Sequence, residues 1–157
     1  MSTTRQGRPS RTMLSRSSQN LSASRCSSDR LLALRVVTFA VTVPLLMRFS
    51  LDRVAGWITP SGNASLELSR ADIVAFVRRI DRWLARSRPF VRSGCLIRGL
   101  TLYHFLRQAG VPVSLCFGIG CVNGAVEGHC WIVSGGEPLG ERRDPRDVFT
   151  ETWAIPS

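Results

Sequence analysis

The chain has 157 residues, 44% of them hydrophobic, which suffices for one folded domain and excludes a protein that is disordered throughout. The formal charge of +10 comes entirely from arginine, and residues 1–30 alone hold six arginines against one acid. The remainder is only moderately basic, so the charge does not indicate nucleic-acid binding. Five cysteines, an odd number, together with an N-terminus that lacks a secretory pattern, predict a cytoplasmic, reducing environment.

The N-terminal part divides into a polar and an apolar stretch. Residues 1–28 are rich in Ser and Arg and have no apolar periodicity, which predicts a disordered tail. Residues 31–49 are strongly apolar, but Arg35, Pro44 and Arg48 interrupt the run, and a bilayer span needs about 20 consecutive apolar residues. We therefore expect a buried or interfacial helix, and peripheral contact with a membrane surface stays open.

Residues 29–92 are predicted to form a helical N-terminal part. A short helix is expected over 52–58. Residues 68–86 carry apolar side chains at helical spacing, which predicts an amphipathic helix. Its opposite face is basic, with Arg78, Arg79, Arg82 and Arg86. This face is either a solvated surface or a docking face for an acidic partner.

Residues 93–157 are predicted to form the catalytic core, a buried helix followed by strands. The helix begins at Cys95, is apolar almost all round, and ends near Gln108 before Gly110 and Pro112. Alternating patterns predict strands at 113–119, 127–134 and 138–141, the last two joined by a hairpin turn. Residues 144–157 are polar with a few apolar packing positions. The order of elements predicts an α+β fold.

Cys95 is the candidate nucleophile. A helix N-terminus favours a thiolate through its dipole and its free backbone amides, and the same amides could stabilise an oxyanion. Arg98, one turn further on, adds a positive charge and is a candidate substrate-binding residue. The alternative interpretation of Cys95 is a structural cysteine in a buried helix.

His129 is the candidate base, because Trp131 on the same strand face would shield its imidazole from water. Trp131 is also a candidate substrate-binding residue. The other histidine, His104, lies in mid-helix and is interpreted as structural. Across the predicted hairpin, Glu141 is the best carboxylate to orient the imidazole, and Asp144 is the second candidate.

No metal and no cofactor are predicted. The soft ligands in this region lack the paired Cys-x₂-Cys spacing of structural zinc sites, and no phosphate-binding glycine motif follows a strand. The residues weighed for a metal are Cys116, Cys121, His129 and Cys130.

Four short motifs in this order carry a resemblance: Gly94-Cys95-Leu96-Ile97-Arg98, Gly110-Val111-Pro112-Val113, Gly128-His129-Cys130-Trp131 and Gly136-Glu137-Pro138-Leu139. Together they resemble the transglutaminase-like leader peptidases of lasso-peptide biosynthesis. The resemblance implies a transglutaminase/papain-like core in which Cys95, His129 and an acid are catalytic. In this chain Cys130 stands where the family more often has Ala, and Glu141 where an Asp is expected.

The resemblance further implies a cysteine peptidase that removes the leader from a ribosomally made precursor peptide. The implied partners are the precursor peptide, a separate leader-recognition protein and a lasso cyclase, with no nucleic acid. Three alternatives stay open: a non-catalytic peptide-binding module on the same fold, a membrane-surface protein anchored through residues 31–49, and acyl transfer to an amine by the same triad.

Overall fold

The computed structural model describes residues 12–49, 53, 56, 68–87 and 94–156, with side chains from residue 29 onward. The chain divides into two compact units, residues 1–34 and 35–157. Helix α1, Thr12–Leu46, begins in the first unit and ends in the second. The second unit holds all the other elements and every residue that the sequence singled out for chemistry.

After α1, two shorter helices and four strands have both ends among the described residues of the second unit. Helix α2 is Arg70–Arg86, and Ser69 caps it because its hydroxyl oxygen accepts a hydrogen bond from the backbone N–H of Asp72. Helix α3 is Cys95–Gln108. The strands are β1 Ser114–Val122, β2 Ala125–Ser134, β3 Glu137–Leu139 and β4 Phe149–Ile155, with a 3₁₀ turn at Pro145–Asp147 before β4.

The strands form one antiparallel sheet in the order β3-β2-β1-β4. Two-residue turns connect the first three strands. Asn123 and Gly124 join β1 to β2 with φ angles of 52° and 81°, and Gly135 and Gly136 join β2 to β3 with 59° and 83°. Positive φ at both positions is the geometry that matches the twist of a hairpin. These turns fix the register that places Gly118 opposite His129.

Helix α3 packs against the sheet and forms the centre of the core. Its side chains Leu100, Leu102 and Leu106 are fully buried, as are Leu115 and Ile132 in the sheet. Gly99 allows the close approach, because a Cβ atom there would lie 2.9 Å from Sγ of Cys130 and from Cδ1 of Leu115. The other helices add buried side chains to this core: Val36, Ala40 and Val43 from α1, and Val77, Ile80 and Leu84 from α2.

The predicted α+β class is confirmed, as are the amphipathic helix, the Cys-bearing helix and the hairpin at Gly135 and Gly136. The third strand is shorter than predicted and ends at Leu139. The C-terminal segment, for which only packing positions were expected, forms strand β4. Where a disordered tail was expected through residue 28, the backbone is helical from Thr12, and both Ser and Arg are compatible with helix.

Two predictions concern regions that the structure describes in part or not at all. Most of the predicted helix at 52–58 lies outside the described residues. Among the helices that are described, none combines the length and the apolar character needed to cross a bilayer.

Candidate active site

Cys95 is the first residue of α3, and its free thiol is half-buried. The residue before it, Gly94, has extended backbone geometry and no side chain that could cap the helix. The first backbone hydrogen bond of the helix runs from the N–H of Arg98 to the carbonyl of Gly94, so the N–H groups of residues 95–97 precede the intrahelical ladder. This helix start therefore presents free amides beside a thiol, in contrast to the capped start of α2.

His129 lies in β2, and aromatic rings flank its imidazole. The ring of Trp131 stacks on it with centroids 6.1 Å apart, as the alternation of the strand predicted, and the ring of Phe149 lies 5.0 Å away. Trp131 is fully buried. The two rings restrict the orientations open to the imidazole and shield it from water. The role of Trp131 as a substrate contact stays a prediction.

Glu141 is the carboxylate closest to the imidazole in the described part of the chain. Its Oε2 lies 3.7 Å from Nε2 of His129, within ion-pair range, and its Oε1 accepts a hydrogen bond of 2.7 Å from Nη1 of Arg98. The side chain of Glu141 is only 17% exposed. Because the carboxylate lies on the Nε2 side of the ring, Nδ1 is the nitrogen left for the nucleophile.

Arg98 connects this carboxylate to helix α2. Its Nε donates to Oδ1 of Asp81 at 2.8 Å, and Nη2 donates to Oδ2 of Asp81 at 3.2 Å and to the carbonyl of Gly140 at 3.0 Å. These contacts raise the pKa of Arg98, although burial alone would lower it. The guanidinium thus holds Glu141 from one side while Asp81 holds the guanidinium. Substrate binding by Arg98 stays a prediction.

Asp144, the second candidate for the orienting acid, has a different partner. Its carboxylate accepts hydrogen bonds from the guanidinium of Arg146 at 2.6 to 3.0 Å and from the backbone N–H of the same residue at 2.9 Å. These bonds lower the pKa of Asp144. Asp144 lines the same cleft as His129, but its carboxylate belongs to a local turn. The geometry therefore favours Glu141 for the orienting role.

Two further cysteines, Cys130 and Cys116, are buried, and the first of them lies beside Cys95. Burial raises the pKa of the Cys130 thiol, and the neighbouring thiol of Cys95 raises it further. Cys116 is raised in pKa to about 12 by burial and by a hydrogen bond with Glu151. Both thiols are therefore held in the neutral form. In the part of the chain that the structure describes, no group of three or more His, Cys, Asp or Glu side chains is arranged to hold a metal ion.

Cys95 and His129 line two adjoining depressions. One is a charged cleft of about 930 Å³, whose wall includes Asp81, Arg98 and Glu141. The other is an apolar groove of about 460 Å³. Both volumes fall within the range of ligand-binding pockets, which is roughly 300–1,000 Å³. The two candidate catalytic side chains are therefore accessible from both depressions.

The structure brings together four of the five residues that the sequence proposed as site residues, namely Cys95, Arg98, His129 and Glu141. His104 lies elsewhere, stacked on Phe39 with ring centroids 4.4 Å apart, in keeping with a structural role. Sequence reasoning missed Asp81 and Phe149. The one signal that could have pointed to Asp81 was an acid in the middle of a helix whose only other acid, Asp72, lies in its first turn.

Comparison with known proteins gives one match. Residues 33–154 match the family model described as the transglutaminase-like superfamily. The matched range includes the C-terminal part of α1, helices α2 and α3, and the sheet up to the penultimate residue of β4. No curated protein and no solved structure matches the chain significantly.

Proposed function

The chain belongs to the transglutaminase-like superfamily, which includes cysteine peptidases and acyltransferases, and on that premise we propose that it is a cysteine peptidase. In this proposal Cys95 is the nucleophile, His129 the general base and acid, and Glu141 the orienting carboxylate. The observation that carries it is the placement of the Glu141 carboxylate between His129 and Arg98, in a cleft that Cys95 also lines. A nucleophile, a base and a group that orients the base are the parts that acyl chemistry requires.

The first half of the reaction forms a thioester. The Cys95 thiolate attacks the carbonyl carbon of a substrate amide, and the carbonyl oxygen becomes an oxyanion. The free N–H groups at the start of α3 support its stabilisation, because they carry the partial positive charge of the helix N-terminus. As the C–N bond breaks, the protonated imidazole of His129 donates its proton to the leaving amine.

The second half releases the acid and regenerates the thiolate. Neutral His129 takes a proton from water, and the resulting hydroxide attacks the thioester carbonyl. The C–S bond then breaks, and the carboxylic acid leaves. Glu141 stabilises the imidazolium that forms in each half and keeps the protonated nitrogen on its own side of the ring.

For the natural substrate we propose the leader of a ribosomally made precursor peptide, with recognition of the leader by a separate partner protein. The support is the set of four motifs between Gly94 and Leu139 that resembles the lasso-peptide leader peptidases. The second compact unit, residues 35–157, holds the α+β core that surrounds the cleft, and a leader-binding partner would be an addition to it.

Mass spectrometry of a reaction in H₂¹⁸O tests the proposal. A lasso-type precursor and its leader-recognition protein are incubated with the chain, and a Cys95→Ala protein serves as the control. We expect one cut at the junction of leader and core, with ¹⁸O in the new carboxylate, and no product from the control. Cleavage by the Cys95→Ala protein would refute the nucleophile assignment.

Acyl transfer uses the same triad and differs only in the acceptor. Adding methylamine to the same reaction separates the two activities, because transfer yields an N-methylamide without ¹⁸O at the newly formed end. We expect hydrolysis to dominate. A product that is mainly the N-methylamide would assign the chain to the acyltransferases of the superfamily instead.

A further inference from the structure

The two depressions at the catalytic pair differ in chemistry. The described residues that line the groove are apolar except for the small polar or titratable side chains of Cys95, His129, Cys130 and Thr152. Its large apolar members are Met47, Phe49, Leu96, Phe117 and Ile119. Phe49 is 48% exposed and Ile119 52% exposed, so both present apolar surface to solvent. Apolar side chains exposed next to the proposed nucleophile indicate a surface that an apolar ligand covers.

The cleft on the other side is lined by charged side chains, three carboxylates and three arginines. Its three carboxylates already have guanidinium partners, since Asp81 and Glu141 bind Arg98, and Asp144 binds Arg146. Two further arginines of the lining, Arg142 and Arg143, are exposed. Arg142 and Arg143 are therefore the charged groups of this lining that an incoming peptide meets at the surface, and they favour an acidic side chain.

We infer that the substrate is a peptide whose reacting amide lies between an apolar side chain, which occupies the groove, and an acidic side chain, which meets Arg142 and Arg143. The inference rests on the proposed function, because the reacting amide is placed by Cys95 and His129. Cys95 and His129 line both the cleft and the groove, so one bound peptide can reach from one depression into the other. The inference adds substrate selectivity to the proposed triad chemistry. The side chains that give this selectivity take no part in proton transfer.

The expected size of each preference follows from its physical origin. An apolar side chain that fits an apolar pocket changes specificity about tenfold or more. A contact between exposed charges contributes less, about two- to fivefold, and weakens as salt screens it. The preference for the apolar side chain is therefore expected to be the larger one and to survive high salt.

A set of internally quenched peptides tests the inference. Each peptide has a constant middle dipeptide, with one flank either Leu-Val-Leu or Ser-Asn-Ser and the other flank Glu-Glu-Ser, Arg-Arg-Ser or Ser-Asn-Ser, in both directions along the chain. kcat/KM is measured for the native protein. Binding of the same peptides to the Cys95→Ala protein is measured by fluorescence anisotropy, so selectivity is recorded even without turnover.

Variants of the groove and of the cleft, each with a matched control, show which depression causes each substrate preference. Ile119→Ser removes apolar surface from the groove, and Val126→Ser is its control, because Val126 is 80% exposed on the same sheet and lines neither depression. The double variant Arg142→Gln/Arg143→Gln removes the cleft charges. Its control is Arg70→Gln/Arg86→Gln, which removes two exposed charges of α2 outside the cleft.

We expect the peptide with one apolar and one acidic flank, in one of its two directions, to be bound and cut at least tenfold better than the Ser-Asn-Ser peptide. Ile119→Ser should abolish the apolar preference and the arginine double variant the acidic one, while both controls keep both. Equal use of all peptides, or preferences that survive in the variants, would overturn the inference. Selective binding without any cleavage would keep the apolar and the acidic contact as features of a peptide-binding surface and would refute the peptidase proposal.

Discussion

Oε2 of Glu141 lies 3.7 Å from Nε2 of His129, while the other oxygen of the same carboxylate accepts a 2.7 Å hydrogen bond from Arg98. The carboxylate therefore has a fixed partner on one side and the imidazole on the other. This arrangement lets Glu141 orient the ring without moving between partners. It also makes the position of the imidazole depend on a chain of contacts that runs from Asp81 through Arg98.

The charge of Glu141 can be removed with little change in shape by Glu141→Gln. The amide oxygen of the glutamine can still accept the hydrogen bond from Arg98. Its N–H₂ group then faces Nε2 of His129, which favours the imidazole tautomer with the proton on Nδ1. That tautomer cannot accept the Cys95 proton. We expect kcat to fall by about 10²-fold or more, with KM little changed, in steady-state kinetics.

Asp144→Asn is the matched control for this prediction. It changes the other acid of the cleft, whose carboxylate is bound by Arg146. We expect less than a twofold change in kcat. A loss in Asp144→Asn as large as that in Glu141→Gln would mean that Asp144 contributes to catalysis, and the assignment of the orienting acid would have to be revised.

Asp81 is a positioning residue in this arrangement, because it contacts Arg98 rather than the reacting atoms. Asp81→Asn replaces a charged acceptor of two guanidinium bonds by a neutral amide, which loosens Arg98 and hence Glu141. Small displacements of catalytic groups cost up to about 10²-fold in rate, so we expect kcat to fall roughly tenfold. The measurement is kcat and KM against Glu127→Gln, an exposed acid on β2, as control.

A purely structural role for Asp81 would give a different result. In that case Asp81→Asn would lower the free energy of unfolding while kcat per folded molecule stayed unchanged. The positioning role requires the reverse, a lower kcat at nearly constant stability. Partial recovery of kcat in Asp81→Glu, which restores the charge, would strengthen it further.

Gly118 is the position in β1 where a side chain would disturb the site most directly. A Cβ atom there would lie 2.8 Å from the backbone oxygen of Thr150 and 2.9 Å from the ring of Trp131. Neither neighbour can rotate away, because one is backbone and the other is fully buried. We expect Gly118→Ala to lower the free energy of unfolding by about 1–3 kcal/mol, measured by urea denaturation, and to reduce activity by displacing His129.

Gly128→Ala provides the comparison on the neighbouring strand. The nearest atom to a Cβ at Gly128 is the backbone oxygen of Gly118, at 4.0 Å, which is ordinary contact. We expect the free energy of unfolding to stay the same or to rise slightly, since alanine loses less conformational entropy than glycine on folding. Equal destabilisation by the two substitutions would show that the strands themselves, and not the approach to Trp131, require glycine.

Much of the fold follows from local pattern, and α3 shows why. Its residues are apolar on almost every side, and glycines lie just outside its two ends, at Gly94 and Gly110. The apolar stretch and the flanking glycines therefore predict the same bounds. Strand β4 carries a weaker signal. Most of its first four side chains are exposed, and its pairing with β1 is made by backbone groups that any sequence provides.

The sequence predicted that Glu141 lies near His129, but it did not predict the side chains that hold Glu141. Glu141 follows the hairpin strand that pairs with β2, which limited the residues near His129 to a few positions after that strand. The contact between Asp81 and Arg98 joins two helices and has no local signature. From the sequence, Asp81 was one acid on a basic helix. Only the packing of α2 against α3 shows that it binds a guanidinium that in turn binds Glu141.

The thiols of the chain are expected to differ sharply in reactivity. Cys95 is half-buried at a helix start, and Cys121 is exposed, whereas Cys116 and Cys130 are buried with raised pKa values. Because the thiolate is the reacting species, we expect iodoacetamide at pH 7 to modify Cys95 first, Cys121 more slowly and the two buried thiols only after unfolding. Site-resolved mass spectrometry over time gives the alkylation rates of these four cysteines.

The same experiment separates an active site from a binding module. His129→Ala should slow the alkylation of Cys95 and leave that of Cys121 unchanged, because only Cys95 depends on the imidazole. If Cys95 reacts no faster than Cys121 in the native protein, the cysteine is not activated in the isolated chain. The interpretation as a non-catalytic peptide-binding module would then be preferred.

The buried thiols also determine how the stability of the protein changes at alkaline pH. Burial and Glu151 raise the pKa of Cys116 from 9.0 to about 12, and burial with the neighbouring Cys95 also raises that of Cys130. Above pH 9 the unfolded chain therefore loses protons from these thiols while the folded chain retains them. Since stability falls with pH wherever the unfolded state binds fewer protons, the free energy of unfolding must decrease from about pH 9 upward.

The slope is at most about 1.4 kcal/mol per pH unit for each thiol. The chain contains no lysine and a single tyrosine, so apart from the other three cysteines few side chains titrate in this range. Urea denaturation under reducing conditions between pH 7 and pH 10 measures the slope. The double variant Cys116→Ala/Cys130→Ala should be less stable at pH 7, but its free energy of unfolding should change much less with pH. An unchanged slope in the double variant would mean that other groups cause the loss, and that the two thiols already ionise in the folded protein as they do in the unfolded chain.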